Sequence, residues 1–304
     1  MYEKISYGGW PNCVRLSNGL VDLIATTDVG PRIIRFGFVG ASNLFKEIPG
    51  HAGKSGGDVW RSYGGHRLWR APEDVQYTYA PDNLPVANAW DGRSLKLTQP
   101  ADAAGMAKEI EIVLDPERSR ASLLHRLTNR TGTSVELGPW AVTVMAARGR
   151  AILPQEPFRP HSESLLPVRS LALWSYTDMK DPRWTWGSRY IQLKQDPAAK
   201  VEQKFGIRNS LGWAAYILDG VTFIKRFPFE ESARYPDLDC NFEVFTNDAI
   251  LELESLGPMT RLDPGRSVEH REEWFLFPAN VGESEPAIDR DLLPLVTQTS
   301  VLLR

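Results

Sequence analysis

Residues 241–277 read NFEVFTNDAILELESLGPMTRLDPGRSVEHREEWFLF, and this stretch decides the fold. At its centre lies Ile250-Leu251-Glu252-Leu253-Glu254-Ser255-Leu256. Side chains alternate between the faces of a strand. Leu251 and Leu253 therefore point one way, and Ile250, Glu252, Glu254 and Leu256 the other. Two neighbouring carboxylates are costly on an apolar face unless they are solvated, paired or used. The run thus predicts a strand and marks a candidate site.

The same period continues outward. Strand signals at 242–246, 249–256, 259–262 and 267–277 follow one another with short breaks. Upstream, Asn18-Gly19 and Asp91-Gly92 sit between apolar runs, which is the strongest short hairpin signal. Lys108 to Leu114 alternates cleanly. The runs 121–128 and 134–146 flank a turn at Asn129 to Gly132. More strands are expected near 170–175, 189–194, 201–206, 213–218 and 221–227. Residues 49–85 and 154–168 are rich in Gly and Pro and read as long loops. A helical pattern is confined to a short C-terminal segment, about 284–294, with Pro286 suited to a first turn. The expectation is all-β: one large antiparallel β-sandwich, a single domain over 1–304.

Composition narrows the function classes. The chain has 304 residues, a formal net charge of -3 and ten Trp. That charge gives no basic footprint for nucleic acid. No run approaches the ~18 apolar residues of a membrane span. The N-terminus lacks the basic start and apolar stretch of a secretory signal, so the reading is cytoplasmic. Cys13 and Cys240 form no metal or redox spacing and read as two buried thiols. No P-loop, dinucleotide fingerprint, nucleophile elbow or zinc spacing occurs, so neither cofactor nor metal is expected. Tyr235 to Asn241 has a D-x-D-x-N spacing, but Phe242 stands where a calcium loop needs Gly. Exposed sheet edges are compatible with self-association.

Three groups of residues can carry chemistry. Glu252 and Glu254 are the first. The second is Trp60-Arg61-Ser62-Tyr63-Gly64-Gly65-His66-Arg67-Leu68-Trp69-Arg70, which combines aromatic faces with guanidinium forks suited to vicinal oxygens. The third is the histidines. His66, beside a Gly pair, is the candidate acid or base. His125 reads as a core residue, and His270 as a structural partner of Glu272. His51 and His161 carry no further signal.

Taken together, these motifs resemble the galactose mutarotase-like (aldose 1-epimerase-like) superfamily, in particular a bacterial branch of it. The resemblance rests on Gly30-Pro31-Arg32-Ile33-Ile34-Arg35-Phe36 with Asn43-Leu44-Phe45, on Gly64 to Trp69, and on Leu251 to Ser255 followed by Leu262-Asp263-Pro264-Gly265 and Trp274 to Phe277. It implies the supersandwich fold and a small carbohydrate as ligand. It also implies a strand Glu that takes the anomeric proton and a His that protonates the ring oxygen. Glu254 matches the Glu. The family's usual acid position corresponds to Leu137 to Val142, which carries Trp140 and no His; His66 is the substitute. Arg35, Arg67, Trp69, Trp140 and Glu252 are the implied substrate contacts. The implied activity is aldose 1-epimerisation. The alternative is a carbohydrate-binding or regulatory protein that keeps the groove without the reaction. Glycoside hydrolysis ranks below both, because its two carboxyl groups must flank the bond rather than share one strand.

Overall fold

The structure, a computed structural model, describes residues 1–300. Two antiparallel sheets face each other. The first runs, in spatial order, Tyr2–Tyr7, Trp10–Ser17, Val21–Thr26, Arg32–Phe38, Gly65–Ala71, Val135–Met145, Leu251–Leu256, Phe242–Thr246, Gln203–Ile207 and Leu171–Leu173. Thr260–Leu262 pairs with the start of Val135–Met145. The second runs Trp184–Trp186, Tyr190–Lys194, Arg150–Pro154, Trp213–Leu218, Val221–Arg226, Ser267–Phe277, Arg120–Asn129, Met106–Leu114, Ser94–Gln99 and Ala87–Trp90.

The strand Leu251–Leu256 is central and wholly buried. Leu251 and Leu253 enter the main core between the sheets, beside Phe36, Phe45, Phe223 and Trp274. Leu256 faces outward, into a smaller cluster with Trp69, Trp140 and Val142. The first sheet is therefore covered on both faces. Loops carrying Trp60 and Tyr79 cover its outer side. On the second sheet, the helices Glu285–Asp291 and Leu293–Ser300 fill that role, with Ile288, Leu292 and Val296 packed on Ile224 and Phe275. Ser284 caps the first of these helices by accepting from the Ala287 N–H. None of the described helices is long and apolar enough to cross a membrane.

The stretch expected to be loop from 49 to 85 contains a central strand, Gly65–Ala71. Its Gly pair marks close backbone approach rather than flexibility. Gly65 has φ +66°, and a Cβ there would lie 2.2 Å from the Ile33 carbonyl oxygen; at Gly64 it would lie 2.1 Å from that of Lys46. Only glycine fits both demands.

Candidate functional site

Register places the candidate residues. Arg67 is opposite Val142, and Val142 is opposite Glu254, which in turn pairs with Glu243. One step along, Trp69 pairs with Trp140, and Trp140 with Leu256. Directly opposed residues share a face. Arg67, Trp69, Trp140, Glu243, Glu252 and Glu254 thus all stand on the outer face of the first sheet.

There they build a groove of about 510 Å³, lined by Trp60, Trp69, Trp140, Tyr79 and Tyr176 with Arg67, Lys204, Glu252, Glu73 and Glu202 among the polar groups. Trp69 and Trp140 meet edge to face, centroids 5.3 Å apart, and Tyr79 packs on Trp69 at the same distance. Such contacts hold the rings at fixed angles. The Arg67 guanidinium lies 4.0 Å from the Trp69 ring centre and donates from Nη2 to Glu252 Oε1 at 3.1 Å. Arg67 is 2% exposed, and its Nε and Nη1 have no hydrogen-bond partner among the described residues. Buried donors without partners cost roughly 1–3 kcal/mol each. A ligand oxygen would relieve that cost. A second concavity of about 560 Å³ lies near Asn18, Trp90 and Arg120, but none of the buried carboxyl groups above lines it.

Beneath the groove, Lys204 bridges two carboxyl groups. Its Nζ is 2.8 Å from Glu243 and 3.1 Å from Glu254, and it lies over the Trp140 and Trp174 rings at 4.7 and 4.8 Å. Glu254 Oε2 also accepts from Trp140 Nε1 at 2.9 Å, while Oε1 has no partner among the described residues. Burial favours neutral Lys204, but Glu254 and Glu243 outweigh it and hold the ammonium well above its ordinary pKa. Burial drives both carboxyl groups up against the pull of Lys204, Glu243 the more strongly. One cation cannot balance two buried carboxylates, so the trio retains a proton.

Glu254 sits under Trp140 and is not itself a groove-lining side chain; Glu252 is the strand carboxylate that reaches the cavity. Arg35 is not in the groove. Its Nε donates to Asp22 at 2.9 Å, and Nη2 to the carbonyls of Phe38 and Ala41, so it braces a turn. The expectation that it contacts substrate is corrected by those bonds.

The pairing of His66 with Glu254 is corrected as well. His66 precedes Arg67 on one strand, so the pleat sends it to the other face. It is fully buried between the sheets. Its Nδ1 is 2.8 Å from Thr143 Oγ1, and its Nε2 is 2.7 Å from His125 Nε2. His125 Nδ1 donates to the His270 carbonyl. His270 Nε2 bonds Ser255 Oγ at 2.6 Å, and Ser255 donates to Glu272, so the expected link from His270 to Glu272 runs through a hydroxyl. Lys225 Nζ and Trp274 Nε1 complete the Glu272 carboxylate at 2.8 and 2.7 Å. His66, His125 and Glu272 bring three ligand-type atoms within 4.8 Å of one another. However, each partner is already engaged: Glu272 holds an ammonium, an indole and a hydroxyl, and the imidazoles satisfy each other. This cluster is a buried hydrogen-bond seam between the sheets.

Sequence reasoning missed Lys204 and Glu243. Lys204 precedes Phe205 and Gly206 in a short strand with no flanking motif. Its meaning depends on the pairing of Gln203–Ile207 with Phe242–Thr246, which local pattern does not encode.

No protein-family model matches the chain, and no curated protein matches it. Solved structures do. The Slr1438 protein of Synechocystis sp. PCC 6803 aligns over 91% of this chain and 99% of its own, with TM-score 0.55 and 12% identity. A galactose mutarotase-like protein from Lactobacillus casei ATCC 334 aligns over 88% of this chain and 100% of its own, with TM-score 0.52 and 10% identity. Another, from Clostridium acetobutylicum, aligns over 91% and 98%, with TM-score 0.52 and 8% identity. The fold of this chain is that of the galactose mutarotase-like proteins.

Proposed function

We propose that the outer groove of the first sheet binds a small carbohydrate. One observation carries the reading: the Trp69–Trp140 wall stands beside the Arg67–Glu252 pair on the floor of a cavity of about 510 Å³. Aromatic faces suit the C–H surfaces of a pyranose, and a fixed guanidinium–carboxylate pair suits adjacent hydroxyls, since it offers donors and acceptors side by side. The mutarotase-like fold of the neighbours supports a sugar-sized ligand.

A second reading adds catalysis of anomer interconversion. The nearness of Lys204 favours it: its ammonium lines the groove and lies 3.1 Å from Glu254. In this reading Glu252, the carboxylate that reaches the cavity, takes the anomeric proton, and Lys204 passes a proton to the ring oxygen and regains one from the Glu243–Glu254 pair beneath it. His66 takes no part, because it faces the interior.

The test is calorimetric titration with a panel of hexoses, followed by NMR exchange between anomers. Binding lost on Arg67→Ala supports the groove. Exchange that disappears in both Glu252→Gln and Lys204→Met selects the catalytic reading. Binding without exchange selects a non-catalytic receptor. An absence of binding by every sugar overturns the proposal.

A further inference from the structure

The groove has an imbalance of charge that a neutral ligand would leave in place. Its two cations are already committed. Arg67 is paired to Glu252, and Lys204 lies between Glu243 and Glu254. Two further carboxyl groups line the cavity, Glu73 and Glu202. Both belong to exposed residues, and no salt bridge to a described residue involves either of them. Glu73 accepts from the Tyr79 hydroxyl. Three carboxyl groups, Glu73, Glu202 and Glu252, therefore line the cavity with two cations, and one of those cations, Lys204, is already bound to the two carboxyl groups beneath it.

A second, independent observation points to a ligand. Arg67 lines the groove at 2% exposure, and its Nε and Nη1 find no hydrogen-bond partner among the described residues. A fitting ligand brings hydroxyl oxygens for Arg67 and a positively charged donor for the carboxyl groups. The aromatic lining adds to the same preference, since the faces of Trp and Tyr attract cations.

Resting on the carbohydrate reading above, we infer that the ligand is an amino sugar with a free, protonated amine rather than a neutral or acidic hexose. An acidic sugar would meet Glu73, Glu202 and Glu252 with like charge. An N-acetylated sugar would bring the same ring without the cation.

The experiment is calorimetric titration of the intact protein with glucosamine, glucose, N-acetylglucosamine and glucuronate at about pH 6.5, where an amine remains protonated. The expected result is that glucosamine binds about tenfold more tightly than glucose, with glucuronate weakest. Added salt should narrow the gap, because exposed charges are screened. The double variant Glu73→Gln with Glu202→Gln should lose most of the glucosamine preference, read as the ratio of the glucosamine and glucose affinities. Both positions are exposed, so the variant should fold. If glucose or glucuronate binds as tightly as glucosamine, or the double variant keeps the preference, the amino-sugar inference is overturned while sugar binding stands. If none of the four sugars binds, the carbohydrate reading itself is overturned, and this inference with it.

Discussion

His66 and Arg67 are consecutive residues whose side chains lie on opposite sides of one sheet. His66 is locked between the sheets to Thr143 and His125. Arg67 lies on the far side against Trp69 and Glu252. The period of two in a strand thus assigns one residue to the core and the next to the groove. His66→Asn should therefore cost stability but leave sugar affinity unchanged in the folded fraction. Arg67→Ala should lower affinity at least tenfold. Paired titration calorimetry and thermal melts separate the two effects. An affinity loss in His66→Asn that matches that of Arg67→Ala would defeat this assignment.

Arg67→Lys should not rescue the groove. An ammonium can hold Glu252, but it cannot present the flat fork that stacks on Trp69 at 4.0 Å while offering further donors. Affinity in Arg67→Lys is expected to stay within about threefold of Arg67→Ala, read by the same titration.

Acid should unfold the protein through the histidine seam. Burial pushes His66, His125 and His270 down, His270 to about 3. In the unfolded chain these imidazoles take protons near their ordinary value of about 6.5. The unfolded state therefore binds more protons as pH falls below that point. Stability should be fully present above about pH 6.5 and decline toward pH 3, by up to about 1.4 kcal/mol per pH unit for each histidine. Urea midpoints measured at intervals across that window give the slope. A flat profile would show that the seam does not titrate on unfolding.

Lys225 and Glu272 form an ion pair with both side chains at 0% exposure. Removing one partner leaves an uncompensated charge, so Lys225→Met or Glu272→Gln alone should cost about 3–5 kcal/mol. The double variant should recover part of that loss, because neither charge then remains buried alone. A double-mutant cycle in urea gives the coupling, and strict additivity would contradict the ion-pair account.

Gly65→Ala should be severely destabilising, by more than about 3 kcal/mol. The new Cβ would meet the Ile33 carbonyl oxygen at 2.2 Å in a left-handed backbone. Gly19→Ala provides the contrast. Its φ of +88° is strained too, but nothing lies within 4 Å, so its cost should stay near about 1 kcal/mol. Comparing the two melts isolates the steric term.

Much of this architecture was legible because strands announce themselves by alternation. Lys108 to Leu114 and Leu251 to Leu256 needed only the period of two, and the hairpin at Asp91-Gly92 needed only turn chemistry. Gly65–Ala71 was harder. Its glycines answer to the backbones of Lys46 and Ile33, which are distant in sequence, so locally they look like a flexible loop. In the candidate site, Trp69, Trp140, Arg67 and Glu252 were legible as candidates by residue type, and the fold brings all four to one groove. Arg35 was misread because its partner Asp22 comes from a neighbouring strand. His66 was misread because a residue assigned to a loop carries no parity. Lys204 had no signature at all: it acquires meaning only when two other strands bring Glu243 and Glu254 to it.

The seam of His66, Ser255, Lys225 and Glu272 has a consequence for how such a protein can change. His66 and Ser255 are the strand neighbours of Arg67 and Glu254 and point to the other side of the sheet, where Lys225 and Glu272 meet them from the facing sheet. Substitutions in the groove therefore leave the seam's bonds intact, and the internal lock between the sheets survives while the outer face changes. A scaffold arranged in this way can diversify its ligand chemistry at little risk to folding. Its evolvability resides in the separation of duties between odd and even residues.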